Sequence, residues 1–421
     1  MASLTRRALV AGLAGLLTAC AGPSPSPTPA GPTAQTQRPQ ALATPAPTSA
    51  PPPPSTPLAT VAPTSAPPAP TPQPAAQVAL DIQLWNGSAE LQLDGRTIEP
   101  GPHTVAPGPH QAAAIVDGDV VAVTEIPPDG GSVDLVVPPP FASLAIMIEN
   151  QADARPQTGL PRADVVYEAL AEGGITRFIA VFLSGDAPVV GPVRSLRHYF
   201  AFLAADYGAD LVHIGASPEG FTWRDAMNMG RLDESAGDPG VWRIRSRPPP
   251  HNAYTDTAAD RGFLLDRGRQ RNRRWGPLRF SPNAPRGEEA AERITLGFRP
   301  WPYRVGYEWD PSSQRYLRFM EGGPHRDAAT GEQIAPATVV VQYALVEAIP
   351  NDAKLRLDVN LVGGSGQLEV FSNGTRREGT WSKVAPRTSS SWLDDRGNPL
   401  VIPPGPVWVE VVPLDSPVSW T

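Results

Sequence analysis

The chain has 421 residues, a formal net charge of −7 and a single cysteine. An acidic balance argues against nucleic acid as a bulk partner, because a phosphate-binding surface is usually basic. One cysteine provides no disulfide framework and no cysteine metal site, and no segment beyond the N-terminal apolar run is apolar enough to span a bilayer.

That N-terminal run follows Arg6 and Arg7, covers residues 8–17 and ends in Leu17-Thr-Ala-Cys20, the layout of a signal peptide over residues 1–20. Leu17-Thr-Ala-Cys20 resembles the bacterial lipobox. The resemblance implies that Cys20 is lipidated and becomes the mature N-terminus, giving an extracytoplasmic lipoprotein anchored to the cell membrane. The lead Thr5-Arg-Arg-Ala-Leu-Val10 is also loosely similar to a twin-arginine signal, so both export routes stay open. Residues 21–77 are almost only Pro, Ala, Thr, Ser and Gln, which cannot bury a core. A disordered proline-rich linker is expected there, with a reach of roughly 170 Å if fully extended.

Residues 78–138 alternate apolar and polar side chains between Gly/Pro turns, the pattern of a small all-β module. The Leu93-Asp-Gly95 turn, the Pro100-Gly-Pro-His103 segment and the paired short strands resemble PEGA-type domains. His103 and His110 sit in or beside turns and read as solvent-facing residues, not ligands.

After Pro138-Pro-Pro140 the continuous apolar runs 143–148 and 177–183 predict buried strands, 199–207 has helical spacing, and 210–214 returns to strand. From residue 293 onward period two dominates, near 294–298, 316–320, 338–344, 355–361, 368–371 and 407–412. The expected fold is therefore α+β: a mixed α/β core domain over 139–290, then a β-rich C-terminal lobe over 291–421. Trp381 and Trp408 are expected to pack that lobe, and Gly363-Gly-Ser-Gly366 to turn a hairpin.

Ionisable and polar residues gather where the apolar runs of the core end, the usual place for a site on such a scaffold. The candidate ligand-binding set is Glu149, Asn150, Arg155, Asp164, Glu168, Glu172, Arg177, Arg194, Ser195, Arg197, His213, Ser217, His251 and Asn252. Arg155, Arg177, Arg194 and Arg197 suit a fork-rich pocket for an anion, since guanidinium grips phosphate or carboxylate in a bidentate manner. Asp164, Glu168, Glu172, His213 and His251 would hold those arginines or move protons. The plainer alternative is a buried ion-pair network that orders the sheet ends. Ser195, between two arginines, suits a phosphate contact better than nucleophilic attack. Gly215-Ala-Ser-Pro-Glu219 lacks the second glycine of a nucleophile elbow. His213, His251, Glu149 and Asp164 lack metal-site spacing, and no Walker or dinucleotide loop occurs, so neither metal nor cofactor is expected. Nearly all the positive charge is arginine; the only lysines are Lys354 and Lys383.

Met147-Ile-Glu-Asn150, Ala154-Arg-Pro-Gln157, Glu172-Gly-Gly-Ile-Thr-Arg177, Gly191-Pro-Val-Arg-Ser-Leu-Arg197, His213-Ile-Gly-Ala-Ser217 and Pro250-His-Asn-Ala-Tyr254 resemble the N-terminal domain of the YerB-like lipoprotein family. Gly364-Ser-Gly-Gln-Leu-Glu-Val-Phe371, Gly379-Thr-Trp-Ser382 and Pro404-Gly-Pro-Val-Trp-Val409 are similar to its C-terminal domain. The resemblance covers about 140–413 and leaves the linker and β module outside. It implies architecture and location but no reaction, since the family's domain is one of unknown function, and whether the chain is an enzyme stays open. Three functions follow: binding of an anionic cell-envelope ligand or protein partner, an envelope enzyme acting on a phosphate-containing or glycan substrate, or a scaffold for protein contacts. The enzyme reading has a loose analogy to LytR-CpsA-Psr transferases, whose motif is not reproduced because Ser195, not an aspartate, follows Arg194.

Overall fold

The computed structural model describes residues 77–421 apart from Gln270 and Arg271. The expected signal peptide, the lipidation site Cys20 and the linker up to residue 76 lie outside the described residues.

Seven strands between Val78 and Val136 build the first module. Val78–Trp85 pairs antiparallel with Gly101–Val105 and parallel with Gly131–Val136. A second sheet has the order Arg96–Ile98, Glu90–Leu93, His110–Val116, Asp119–Ile126. Its Asp94-Gly95 turn has positive φ at both residues, 50° and 75°, as a two-residue hairpin of this hand requires. Asp94 braces the turn by accepting from the Gln111 N–H at 2.9 Å and contacting His110 Nδ1 at 2.6 Å. Leu80, Ile82, Leu91, Ala112 and Leu135 fill the space between the sheets. Asn86 bonds the module to the rest of the chain: its Nδ2 donates to the Leu278 carbonyl at 3.1 Å, and its Oδ1 accepts from the Phe280 N–H at 2.7 Å.

The remainder is built on a twelve-stranded sheet. In spatial order its spine is Arg231–Asp233, Asp210–His213, Leu144–Glu149, Ile175–Phe182, Val165–Glu172, Val407–Pro413, Thr338–Ala348, Gly364–Ser372, Thr375–Lys383 and Glu289–Ala290. Val165–Glu172 and Val407–Pro413 run parallel, in register from Val165 opposite Val407 to Ala169 opposite Val411. The sheet therefore runs unbroken from residues 144–233 into the C-terminal part, where a separate lobe is expected from the sequence. Strand dominates. Among the described residues there are three α-helices, α1 (His198–Asp206), α2 (Pro218–Ala226) and α3 (Thr257–Asp266).

Both faces of the sheet are covered, which is why its central strands read as unbroken apolar runs and not as alternations. Met147, Tyr167, Ala169 and Ile179 belong to one core together with Tyr199 to Ala205 of α1, the residues between its polar ends. Ile146, Ile148, Val166 and Phe178 belong to the other, with Leu264 of α3 and with Ile294, Val305 and Tyr307. Those last three come from a five-stranded antiparallel sheet ordered Gly323–Pro324, Arg315–Met320, Arg304–Asp310, Arg293–Gly297, Val418–Trp420. Helix α1 ends on buried Asp206, a carboxylate at the negative end of a helix dipole. Lys383, at the end of its strand, supplies the countercharge in a fully buried pair, and Ser390 donates to Asp206 from both N–H (2.9 Å) and Oγ (2.8 Å).

Candidate functional site

Leu144–Glu149, Asp210–His213 and Arg231–Asp233 are mutually parallel, so their carboxyl ends, Glu149, His213 and Asp233, share one edge of the sheet. Residues 191–196 cross that edge. The Glu149 N–H donates to the Pro192 carbonyl and the Arg194 N–H to that of Met147, both at 2.9 Å; Ile214 donates back to Arg194 at 3.1 Å. Backbone pairing on both sides thus fixes Arg194 and Ser195 over the strand ends.

The buried Glu149 carboxylate meets Arg194 Nε at 2.9 Å and His251 Nδ1 at 2.8 Å. Arg194 keeps 24% of its side chain exposed, and its two terminal nitrogens have no hydrogen-bond partner among the described residues. The same holds for the Ser195 hydroxyl and His251 Nε2. Neighbouring Asn252 is spent internally: its Oδ1 accepts from Arg243 Nη1 and its Nδ2 donates to the Ile244 carbonyl, each at 3.0 Å.

Arg177 and Arg197 converge on a different carboxylate. Arg197 reaches both Glu172 oxygens at 2.7 Å, while Arg177 Nη2 reaches Oε1 at 2.9 Å and its Nη1 donates to the Ser195 carbonyl at 2.6 Å. Burial pushes the Glu172 carboxyl up, but the two guanidiniums outweigh it and hold it below its ordinary value. Burial, reinforced by Arg197, lowers Arg177 to about 10. This is a closed ion cluster.

The other expected site residues fall in separate places. Asp164 accepts from the Leu183 and Ser184 N–H groups (2.6 and 2.9 Å) and shapes a turn. Ser217 caps α2, its Oγ accepting from the Gly220 N–H at 3.0 Å. His213 lies 3.8 Å from Asp233 and bonds the Gly215 carbonyl at 2.9 Å; burial drives its pKa down to about 4, so the neutral ring is the resident form. Arg155 wraps Asn150, donating from Nε to its carbonyl and Oδ1 at 3.1 Å, and pairs with Glu321. Among the described residues no group of three or more His, Cys, Asp or Glu side chains is gathered as a metal site.

Glu168 and Asn150 instead enter a buried ion-pair network of the kind the plainer alternative describes, but it is centred on Arg318, which the sequence reading does not single out. Arg318, from the five-stranded sheet, is fully buried and pairs with Glu168 and Glu410, which sit directly opposite each other on adjacent parallel strands. Its Nε donates to the Tyr307 hydroxyl at 3.1 Å, and Tyr307 donates to Glu410. Arg318 Nη1 donates to His325 Nδ1, leaving Nε2–H of that ring to donate to Gln157 Oε1 at 2.9 Å. The guanidinium lies 4.3 Å from the Trp408 ring centroid. Burial, and then the adjacent Glu168, raise the Glu410 carboxyl well above its ordinary range, while burial and the Arg318 charge hold His325 neutral. The signal in the sequence is an acid inside an apolar strand, Val165-Val-Tyr-Glu-Ala-Leu170 and Val407-Trp-Val-Glu-Val-Val412.

The N-terminal domain model of the protein-of-unknown-function family DUF3048 matches residues 139–268, and its C-terminal domain model matches 294–409. A Bacillus subtilis (strain 168) protein named as a candidate lipoprotein, YerB, is 34% identical over 284 residues, covering 65% of this chain and 82% of that protein. The chain belongs to this YerB-like family. The crystal structure of YerB from Bacillus subtilis superposes with a TM-score of 0.59 at 31% identity, over 66% of this chain and 94% of the other. Within the YerB-like frame, Glu168 lies in the first matched region and Arg318 in the second, so the buried pair joins the two family domains.

Proposed function

We propose that this YerB-like protein is held at the outer face of the cell membrane by a lipid on Cys20 and binds an anionic cell-envelope ligand or partner at the edge carrying Arg194. Support for the anchor comes from the lipobox-like Leu17-Thr-Ala-Cys20 and from the lipoprotein name of the Bacillus subtilis relative. Among the described residues no helix is long and apolar enough to cross a membrane. The PEGA-like reading of residues 78–138 draws on the Asp94-Gly95 hairpin turn and makes this module a spacer between linker and family domains.

The observation that carries the ligand reading is the open valence of Arg194. The guanidinium makes an ion contact with Glu149 through Nε at 2.9 Å, while its two terminal nitrogens face no protein acceptor among the described residues, beside the Ser195 hydroxyl and His251 Nε2. Such an arrangement offers charge-assisted donors to phosphate or carboxylate oxygens. The scaffold reading is favoured by a different observation, the closure of Arg177 and Arg197 on Glu172, which removes half of the expected arginine pocket from ligand contact.

Cys20→Ser is expected to move the protein from the membrane fraction to the soluble extracytoplasmic fraction, read by fractionation and immunoblot. Inorganic pyrophosphate is expected to raise the melting temperature of the full chain in a salt-sensitive way. Retention of the Cys20→Ser protein in membranes would remove the anchor, and a melting temperature indifferent to pyrophosphate would remove the anion site.

A further inference from the structure

A cleft of about 630 Å³ lies away from the Arg194 edge, on the seam between the first β module and the family domains. That size lies within the range of sites that hold small molecules. Trp85, at the end of Val78–Trp85, lines it from the module, and Trp275 and Phe280 line it from the segment that joins the two family domains.

The walls are fixed before any ligand arrives. Asn86 spends its amide on the Leu278 carbonyl and the Phe280 N–H, so it belongs to the frame. The Trp275 indole N–H donates to the Val137 carbonyl at 2.9 Å, the Val137 N–H donates to the Trp85 carbonyl at 3.0 Å, and the Trp85 indole N–H donates to Asp134 at 2.9 Å. Each indole is therefore held by its nitrogen edge, with the plane of the ring set. Phe280 packs edge-on to Trp275 at 5.3 Å between ring centroids, and all three rings remain only half-buried.

Polar groups around the rings stay open. Arg162 and Ser88 are exposed on the same lining, and neither side chain has a hydrogen-bond or ion-pair partner among the described residues. Asp164, the acid of the lining, is already engaged: it accepts from the Leu183 and Ser184 N–H groups and from the Ser184 hydroxyl. The group left to meet a ligand's charge is the Arg162 guanidinium. Aromatic faces beside open hydrogen-bonding side chains suit a sugar, because the C–H side of a pyranose ring packs on the electron-rich face of an indole while its hydroxyls bond to the groups around it. A guanidinium adds a fork for one carboxylate. We propose that this cleft binds an acidic oligosaccharide, its pyranose rings packed on Trp85 and Trp275 and a sugar carboxylate accepting from Arg162.

The test is calorimetric titration of the full chain with the N-acetylglucosaminyl-N-acetylmuramic acid disaccharide and with chitobiose, which lacks the lactyl carboxylate, for wild type, Trp85→Leu and Arg162→Gln. The acidic disaccharide is expected to bind the wild type, and chitobiose about tenfold more weakly because it offers the guanidinium no charged acceptor. Arg162→Gln, a substitution at an exposed side chain, is expected to melt as wild type does and to bind the two sugars alike. Trp85→Leu keeps an apolar side chain but removes the stacking face, and is expected to weaken both sugars about tenfold. Should Trp85→Leu fail to fold, the comparison of the two sugars on wild type and Arg162→Gln decides. No binding of the acidic disaccharide at millimolar concentration, equal binding of chitobiose by the wild type, discrimination retained by Arg162→Gln, or full binding by a folded Trp85→Leu would overturn the assignment.

Discussion

Arg318→Met is expected to destabilise the chain by about 3–5 kcal/mol, among the largest effects of any single substitution here, because it leaves Glu168 and Glu410 buried side by side without their cation. The melting midpoint should fall on the order of 10 °C. The pair already sits at the limit: burial and Glu168 push the Glu410 carboxyl well up even with Arg318 in place. Adding Glu168→Gln and Glu410→Gln to Arg318→Met removes the charges that the arginine neutralises, so the triple variant is expected to recover much of the loss. Thermal melts of the single and triple variants separate this from simple loss of packing around Trp408. A triple variant no more stable than Arg318→Met would show that the guanidinium acts by volume alone.

Lys383→Met is expected to cost a similar amount, about 3–5 kcal/mol, and to make stability depend on pH. Burial raises the Asp206 carboxyl, and Lys383 is the strongest opposing influence. Without the lysine the folded-state pKa rises further above the unfolded value of about 3.9. A carboxyl group raised in this way is tolerated while protonated, so the stability it permits is present below the unfolded pKa and is lost as pH rises through the folded one. Urea midpoints should therefore show a deficit that is larger at about pH 8 than at about pH 5. A deficit of the same size at both would mean that Asp206 is not the group left charged.

Most strands were legible because their apolar runs are dictated by burial. The runs at 143–148, 177–183 and 407–412 correspond to Leu144–Glu149, Ile175–Phe182 and Val407–Pro413, and the helical spacing at 199–207 to α1. What the sequence hides is how the strands are ordered. Nothing local announces that Val165–Glu172 pairs with Val407–Pro413 across more than two hundred residues, and that pairing turns two expected lobes into one sheet. Strand Val165–Glu172 is itself masked by Glu168, an acid that reads as a site residue until Arg318 is seen to neutralise it inside the sheet. Helices α2 and α3 are far less apolar than α1, and are marked instead by their caps, Ser217 before Pro218 and Asp256 before Thr257.

The candidate site was legible in composition and not in grouping. The arginines at 155, 177, 194 and 197 stand out in the chain, but which carboxylate each one meets is a property of the fold. Glu172 takes Arg177 and Arg197, Glu149 takes Arg194, and Arg155 turns to Asn150 and Glu321. Lys383 is one of two lysines in 421 residues, and its rarity was the only local hint of its buried pairing.

The division between closed and open arginines is tested most directly by measuring thermal melting and pyrophosphate titration in parallel for Arg177→Ala and Arg194→Ala. Arg177→Ala should melt several degrees lower, since it unbalances the Glu172 cluster, while its folded fraction binds pyrophosphate as wild type does. Arg194→Ala leaves buried Glu149 with His251 as its remaining partner and should also melt lower, but its folded fraction should lose tenfold or more in affinity, by about 1.5–3 kcal/mol. Unchanged pyrophosphate binding by Arg194→Ala, or loss of binding confined to Arg177→Ala, would contradict the account.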